Sequence, residues 1–228
     1  GYQYPRDAAV GPDGSIAITG SFYLTVDFDP GPGQTLLTAT PGLTSAFLVK
    51  LDASGALVWA GNLGGSMQFG EAIAMDAAGA IYASGVASDT TDFAFGPTVA
   101  SKSFYGSRTY LAKYDASGVH QWARTFSKND SIHGSFLGDR PLGGIAVDAA
   151  GRVYLAGGFS GTVDFDDSAV TRSATASGQD AYLLKWSATT GELQAAKTFG
   201  GSGSDRADSI SISPYGQMLV AGTFSSSV

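Results

Sequence analysis

The residues best suited to chemistry in this chain are carboxylates that recur at one spacing. Asp27 and Asp29 flank Phe28, Asp164 and Asp166 flank Phe165, and Asp92 precedes Phe93. Carboxylates one residue apart beside a turn could offer hard oxygens to a cation such as Ca²⁺. On that reading Asp27, Asp29, Asp164 and Asp166 are the candidate calcium ligands. The alternating acids and distal Glu of a calcium loop are missing, however, and Ala94 stands where the middle copy would need its second acid. The competing reading is a turn. Asp starts it by bonding to the backbone, Phe anchors it in the core, the acids face solvent and no cofactor is involved.

A lysine also recurs, at Lys50, Lys113 and Lys185. A ring of lysines could bind an anion, whereas pairing with an Asp of the same or a neighbouring repeat is the simpler expectation. Such pairs contribute little when exposed. The linker from Ser127 to Arg140 is longer than its counterparts. It carries Asn129, Asp130, His133, Phe136, Asp139 and Arg140. Extra loop length on a rigid scaffold is where binding tends to reside, so these six residues form the candidate interaction loop. Catalysis has little to build on. The only histidines are His120 and His133, and there is no nucleophile elbow, glycine-rich phosphate loop or metal-type His spacing. The chain reads as a protein without enzymatic activity.

Composition narrows the partners. A net charge of −7 and a pI near 4.6 argue against nucleic acid, whose phosphates require a basic surface. With no cysteine there are no disulfides or thiolate metal sites. No apolar run reaches the 18 residues that suggest a membrane-spanning helix. Glu71 and Glu192 are the only glutamates among the 20 acids, a skew toward turn-forming Asp that disfavours a helical protein.

The elements that must position these residues come as a repeat. Gly14, Gly79, Gly151 and Gly216 each open the same pattern, at spacings of 65, 72 and 65 residues. In the third copy Ile145-Ala146-Val147 and Val153-Tyr154-Leu155-Ala156 flank Asp148-Ala149-Ala150-Gly151, a hairpin signal. A second hairpin runs from Ala181–Trp186 through Gly191 to Leu193–Phe199. The spacing therefore predicts four strands in two hairpins per unit, joined by an arm that carries the Asp-Phe pair. Units fall at about 7–70, 71–139, 140–205 and a half unit at 206–228. First strands such as Ile73-Ala74-Met75 alternate large and small with no polar face, so both sheet faces should be covered. Gly20, Gly85, Gly157 and Gly222 share one position, which predicts a bulge or a close backbone approach. Trp59, Trp122, Leu63, Phe126 and Phe199 are expected in the core.

Gly144–Gly157, Ala46–Gly55 and the linking piece Phe199–Asp205 resemble the bacterial β-propeller repeat family, also called seven-bladed propeller repeats. The resemblance recurs through nearly the whole chain. It implies an all-β fold: a β-propeller segment of four-stranded antiparallel blades, about three and a half repeats, forming one partial domain over 1–228. Rings of this type hold about four to eight blades. The expectation is thus a piece of a longer protein, or a ring completed by partners, a two-chain ring of seven blades among them. The family also implies an extracellular or cell-surface location and a non-catalytic structural, adhesive or protein-interaction module. Its partners would be other protein chains, further blades of the same chain, or a surface polymer or glycan. The alternative is a carbohydrate- or calcium-binding propeller that uses the Asp-Phe arms.

Overall fold

The computed structural model describes residues 1–95, 97–126 and 142–225. It is all-β, with antiparallel sheets and no helix among the described residues. Contacts divide the chain into two compact units, Gly1–Ala123 and Arg124–Val228.

The first unit opens with β1 (Tyr2–Val10), β2 (Ile16–Tyr23), β3 (Thr25–Asp27), β4 (Leu36–Thr38), β5 (Ser45–Leu51) and β6 (Leu57–Asn62). β1, β2, β5 and β6 form one four-stranded sheet in that order, and β3–β4 is a separate small hairpin. Next come β7 (Gly64–Gly65), β8 (Gln68–Met75), β9 (Ile81–Asp92), β10 (Ser101–Tyr114) and β11 (His120–Phe126). In the second sheet β9 pairs with β10 on one edge and with β8 and β7 on the other, and β11 lies outside β10. The second unit holds β12 (Leu142–Val147), β13 (Arg152–Asp164), β14 (Ser173–Ser187), β15 (Leu193–Phe199), β16 (Arg206–Ile212) and β17 (Met218–Thr223). β12 to β15 make a four-stranded sheet in sequence order, and β16–β17 is a two-stranded sheet. The Asp-Phe arm is β3–β4 in the first copy. In the next two it is a continuation of the long strands β9–β10 and β13–β14.

One feature of the sequence sets the register of every copy. Each first strand is bulged: its pairing slips between Pro5 and Asp7, Gly70 and Ala72, Leu142 and Gly144, and Ala207 and Ser209. Opposite the start of each bulge lies a second-strand glycine, respectively Gly20, Gly85, Gly157 and Gly222. A Cβ at Gly20, Gly85 or Gly222 would collide with the carbonyl oxygen of Tyr4, Phe69 or Arg206. Of the two sequence expectations for this position, the bulge accounts for the glycine.

On its other edge the same glycine faces a third-strand aromatic: Gly20 opposite Phe47, Gly85 opposite Tyr110, Gly157 opposite Tyr182. Phe47, Tyr110 and Tyr182 are all buried. The arm phenylalanine then packs on that ring, with centroids 4.8 Å apart for Phe28–Phe47, 5.4 Å for Phe93–Tyr110 and 5.5 Å for Phe165–Tyr182. Full burial of such a ring is worth about 1.5–3 kcal/mol, which offsets the ordering of one or two arm residues and leaves the rest to the loop's hydrogen bonds.

Small residues meet large ones where the two sheets of the first unit share a core. Ala17, Ala46 and Leu48 of the first pack with Ile73, Ile81, Ala83, Tyr110 and Tyr114 of the second. Leu63, Trp122 and Phe126 are buried as anticipated, whereas Phe199 is 53% exposed and Trp59 is only half-buried. Phe199 sits at the end of β15, the outer strand of its sheet.

The hydroxyls of Tyr110 and Tyr182 are buried without a hydrogen-bond partner, and burial drives both well above the ordinary phenol pKa. Phe47 shows that the position does not need the oxygen. Tyr182→Phe should therefore leave stability unchanged or raise it by about 1 kcal/mol, since an orphaned hydroxyl disappears. Gly85→Ala should cost about 1–3 kcal/mol or more by overpacking the bulge. Urea unfolding midpoints check both, and a destabilised Tyr182→Phe would show that the hydroxyl has a partner.

Candidate functional site

The arm tips place the predicted acids, and they do so identically three times. The Oδ1 of Asp27 accepts the N–H of Asp29 (3.1 Å) and of Thr35 (2.9 Å). Asp92 Oδ1 accepts those of Ala94 (3.1 Å) and Ala100 (2.8 Å), and Asp164 Oδ1 those of Asp166 (3.2 Å) and Arg172 (2.9 Å). Each carboxylate thus closes its own loop, bridging the residues two and eight positions on. Backbone bonds from Phe28 to Thr35, Phe93 to Ala100 and Phe165 to Arg172 complete the closure.

The second acids extend the same chemistry. Asp29 Oδ1 accepts the Gly31 N–H at 2.8 Å, and Asp166 Oδ1 the Ser168 N–H at 2.9 Å. Asp166 also stands 3.7 Å from the Arg172 guanidinium. The pairs are nested turns rather than convergent oxygens, and among the described residues no group of three or more His, Cys, Asp or Glu could hold a metal ion. Asp164 and Asp166 are buried, not solvated as the turn reading held. Their negative charge is tolerated there because N–H donors and an arginine surround it.

A second family of carboxylates ties the strand-to-strand turns. Asp52 Oδ1 accepts the hydroxyl and N–H of Ser54 and the N–H of Ala56, and Asp115 Oδ1 does the same with Ser117 and Val119. Bonds from the serine hydroxyls, chiefly, hold both carboxyls below their ordinary pKa of 3.8. In the first-hairpin turn at Asp148, burial works in the opposite sense but the bonds from Arg152 prevail, and its pKa is also lowered. Tyr82 and Tyr154 donate their hydroxyls to the Oδ2 of Asp76 and Asp148.

Lys50 behaves differently from its expectation. Lys50 is buried, and its ammonium donates to the carbonyl of Ala116 at 3.1 Å rather than to an Asp. Trp59, its cross-strand neighbour, donates its indole N–H to the same carbonyl at 3.2 Å. Lys113 lies over the Tyr82 ring, 5.4 Å from its centroid. A desolvated ammonium needs acceptors, and the turn carbonyl of Ala116 supplies one at hydrogen-bond distance, with the Asp13 carboxylate acting on it through charge.

Trp59 also opens onto a recess of about 220 Å³ that sequence reasoning missed, lined by Trp59, Phe95, Thr98, Ser117, Gly118 and His120 among others. Gly118 supports the Trp59 ring, and Phe95 is stacked on Tyr114 at 4.7 Å. His120 lies against Phe93 and Tyr114 with its Nε2 buried and unpartnered. Burial lowers its pKa, so the imidazole is neutral at pH 7. The one sequence signal for this recess is the aromatic count around Trp59, Phe95 and Tyr114, which looks the same as core. The candidate interaction loop, Asn129, Asp130, His133, Phe136, Asp139 and Arg140, lies outside the described residues.

The turn carboxylates carry a pH signature. A carboxyl whose pKa is lower folded than unfolded stabilises fully above the unfolded value of 3.8, and that contribution is lost as pH falls through the folded value. The melting temperature should therefore drop in acid, and a chain with Asp52→Ala and Asp115→Ala should melt lower at neutral pH but lose less on acidification. Parallel acid profiles for the two proteins would contradict the assignment.

In comparisons with known proteins, no family model matches the chain and no curated protein is similar to it.

Proposed function

We propose that this chain is a non-catalytic scaffold of β-propeller type, whose four-stranded sheets are blades. It would serve as a structural, adhesive or protein-interaction module of a larger bacterial surface protein or assembly. One observation carries the reading: the polar side chains at repeat positions serve their own fold. Asp27, Asp92 and Asp164 close arms, Asp52, Asp76, Asp115 and Asp148 close turns, and Lys50 caps a turn carbonyl. A catalytic site gathers polar groups into one cleft, whereas these side chains, among the described residues, are distributed along the repeat and bonded to backbone. The repeated register of glycine, aromatic and arm phenylalanine supports the blade assignment, because radial packing requires every unit to present the same faces.

A second reading, a carbohydrate-binding propeller, is favoured by the recess beside Trp59 and Phe95. Its aromatic wall and the Thr98 and Ser117 hydroxyls are groups that engage sugars.

Pro12, Ala77, Ala149 and Pro214 are equivalent exposed turn tips, and the chain has no cysteine to compete with labels placed there. Spin labels attached through cysteines at successive tips should give equal distances for all three neighbouring pairs, and unequal distances would contradict the radial arrangement. For the second reading, Trp59 fluorescence should respond to a bound glycan and lose the response in Thr98→Ala. The scaffold reading predicts a flat titration and a melting temperature unmoved by calcium.

A further inference from the structure

The recess beside Trp59 is built from residues that depart from the repeat. Trp59 and Trp122 are equivalent, so Gly61 stands where the next copy has Arg124. By the same alignment His120 stands where the other copies have Leu57 and Leu193. Ala94 and Phe95 replace the Asp29-Pro30 and Asp166-Asp167 of the other arms. In the next copy an arginine bridges turn and arm. Arg124 donates to the carbonyls of Gly191 at 2.7 Å and Thr190 at 2.8 Å, and stands 4.0 Å from Asp167. Gly61 has no side chain to do this. The Phe95 ring lies against it instead, and the space of about 220 Å³ is left open.

Two of these departures cost the fold contacts. Leu193 is buried and apolar, whereas the buried Nε2 of His120 has no hydrogen-bond partner, which is unfavourable. Ala94 gives up the turn bond that Asp29 and Asp166 make to Gly31 and Ser168. Trp59, by contrast, is held in place by its indole N–H on the Ala116 carbonyl, which leaves its ring surface for the recess.

The wall chemistry selects the ligand. Among the described residues no charged side chain lines the recess, so neither an anion nor an ammonium finds a counter-charge there. The Ser117 hydroxyl donates to Asp115 at 2.6 Å and can only accept from a ligand. His120 is neutral at pH 7 and offers one accepting and one donating nitrogen, and the Thr98 hydroxyl does both. A ligand hydroxyl serves all three, because it donates and accepts. Trp59 and Phe95 favour a C–H surface between those hydroxyls. The volume lies below the roughly 300–1,000 Å³ of drug-sized sites and leaves room for a single sugar ring.

We propose that the recess binds one uncharged pyranose residue, its C–H face on Trp59 and its hydroxyls on Thr98, Ser117 and the His120 imidazole. This inference rests on the carbohydrate-binding reading and names the class of sugar.

The probes are the methyl glycosides of glucose, galactose and mannose and the three matching methyl uronides. Each is titrated into the full chain and followed by the shifts of the Trp59 indole N–H and the Gly118 amide. At least one hexoside should bind saturably, and its uronide at least about tenfold more weakly. His120→Leu restores the residue of the other copies. It should melt no lower than the parent yet bind the hexoside at least about tenfold more weakly. Thr98 is exposed, so Thr98→Ala keeps the fold and should weaken binding in the same way. The proposal is overturned if no hexoside binds, if hexoside and uronide bind equally, if the shifts lie away from the recess, or if either variant binds as the parent does. Binding of a longer or charged glycan elsewhere on the chain removes this inference alone, whereas flat titrations with every glycan remove the carbohydrate-binding reading as well.

Discussion

Each repeat depends on a backbone approach that only a glycine permits. Where the first strand bulges, a carbonyl oxygen comes so close to the second strand that a Cβ at Gly20, Gly85 or Gly222 would overlap it. The missing side chain leaves a gap over the glycine, and an aromatic from the third strand fills it. The arm phenylalanine rests on that aromatic in turn. A slip of one residue would put the ring against a side chain and turn the apolar set outward. Bulge, glycine, ring and arm are therefore one device, and it fixes register across a sheet and its arm together.

The carboxylates act locally within that device. Acids at regular spacing on turns suggest ion binding, yet the Oδ1 atoms of Asp27, Asp92 and Asp164 each accept two backbone N–H groups. Backbone groups at a loop tip have no ladder partner, and a carboxylate is the side chain able to serve two of them at once. Tying the loop eight residues apart also closes the end of each arm hairpin. Among the described residues, the strand β17 is one surface that the repeat leaves uncovered.

Much of the fold was legible in the chain because the repeat states it several times. The spacing of Gly14, Gly79, Gly151 and Gly216 marked the first turns, and Asp148 to Gly151 marked a hairpin by its chemistry alone. The shared position of Gly20, Gly85 and Gly157 pointed to a bulge. Other features depend on what lies across space. Trp59 and Trp122 hold equivalent positions, yet Trp122 is buried and Trp59 borders a recess, because different neighbours cover them. Lys50 found a carbonyl rather than an aspartate for the same reason. Nothing in Met218–Thr223 distinguishes it from a buried strand, since composition reports what a strand is suited to rather than what stands beside it.

Native-state hydrogen exchange on the free chain tests the central claim most directly. Ile81, Ala83 and Gly85 face a paired third strand, and Met218, Val220 and Gly222 are their equivalents in β17. The first three amides should exchange slowly, near the rate set by global unfolding, and the second three at nearly unprotected rates. Equal protection of the two sets would mean that the outer edge of β17 is already paired in this chain, against the register described for it.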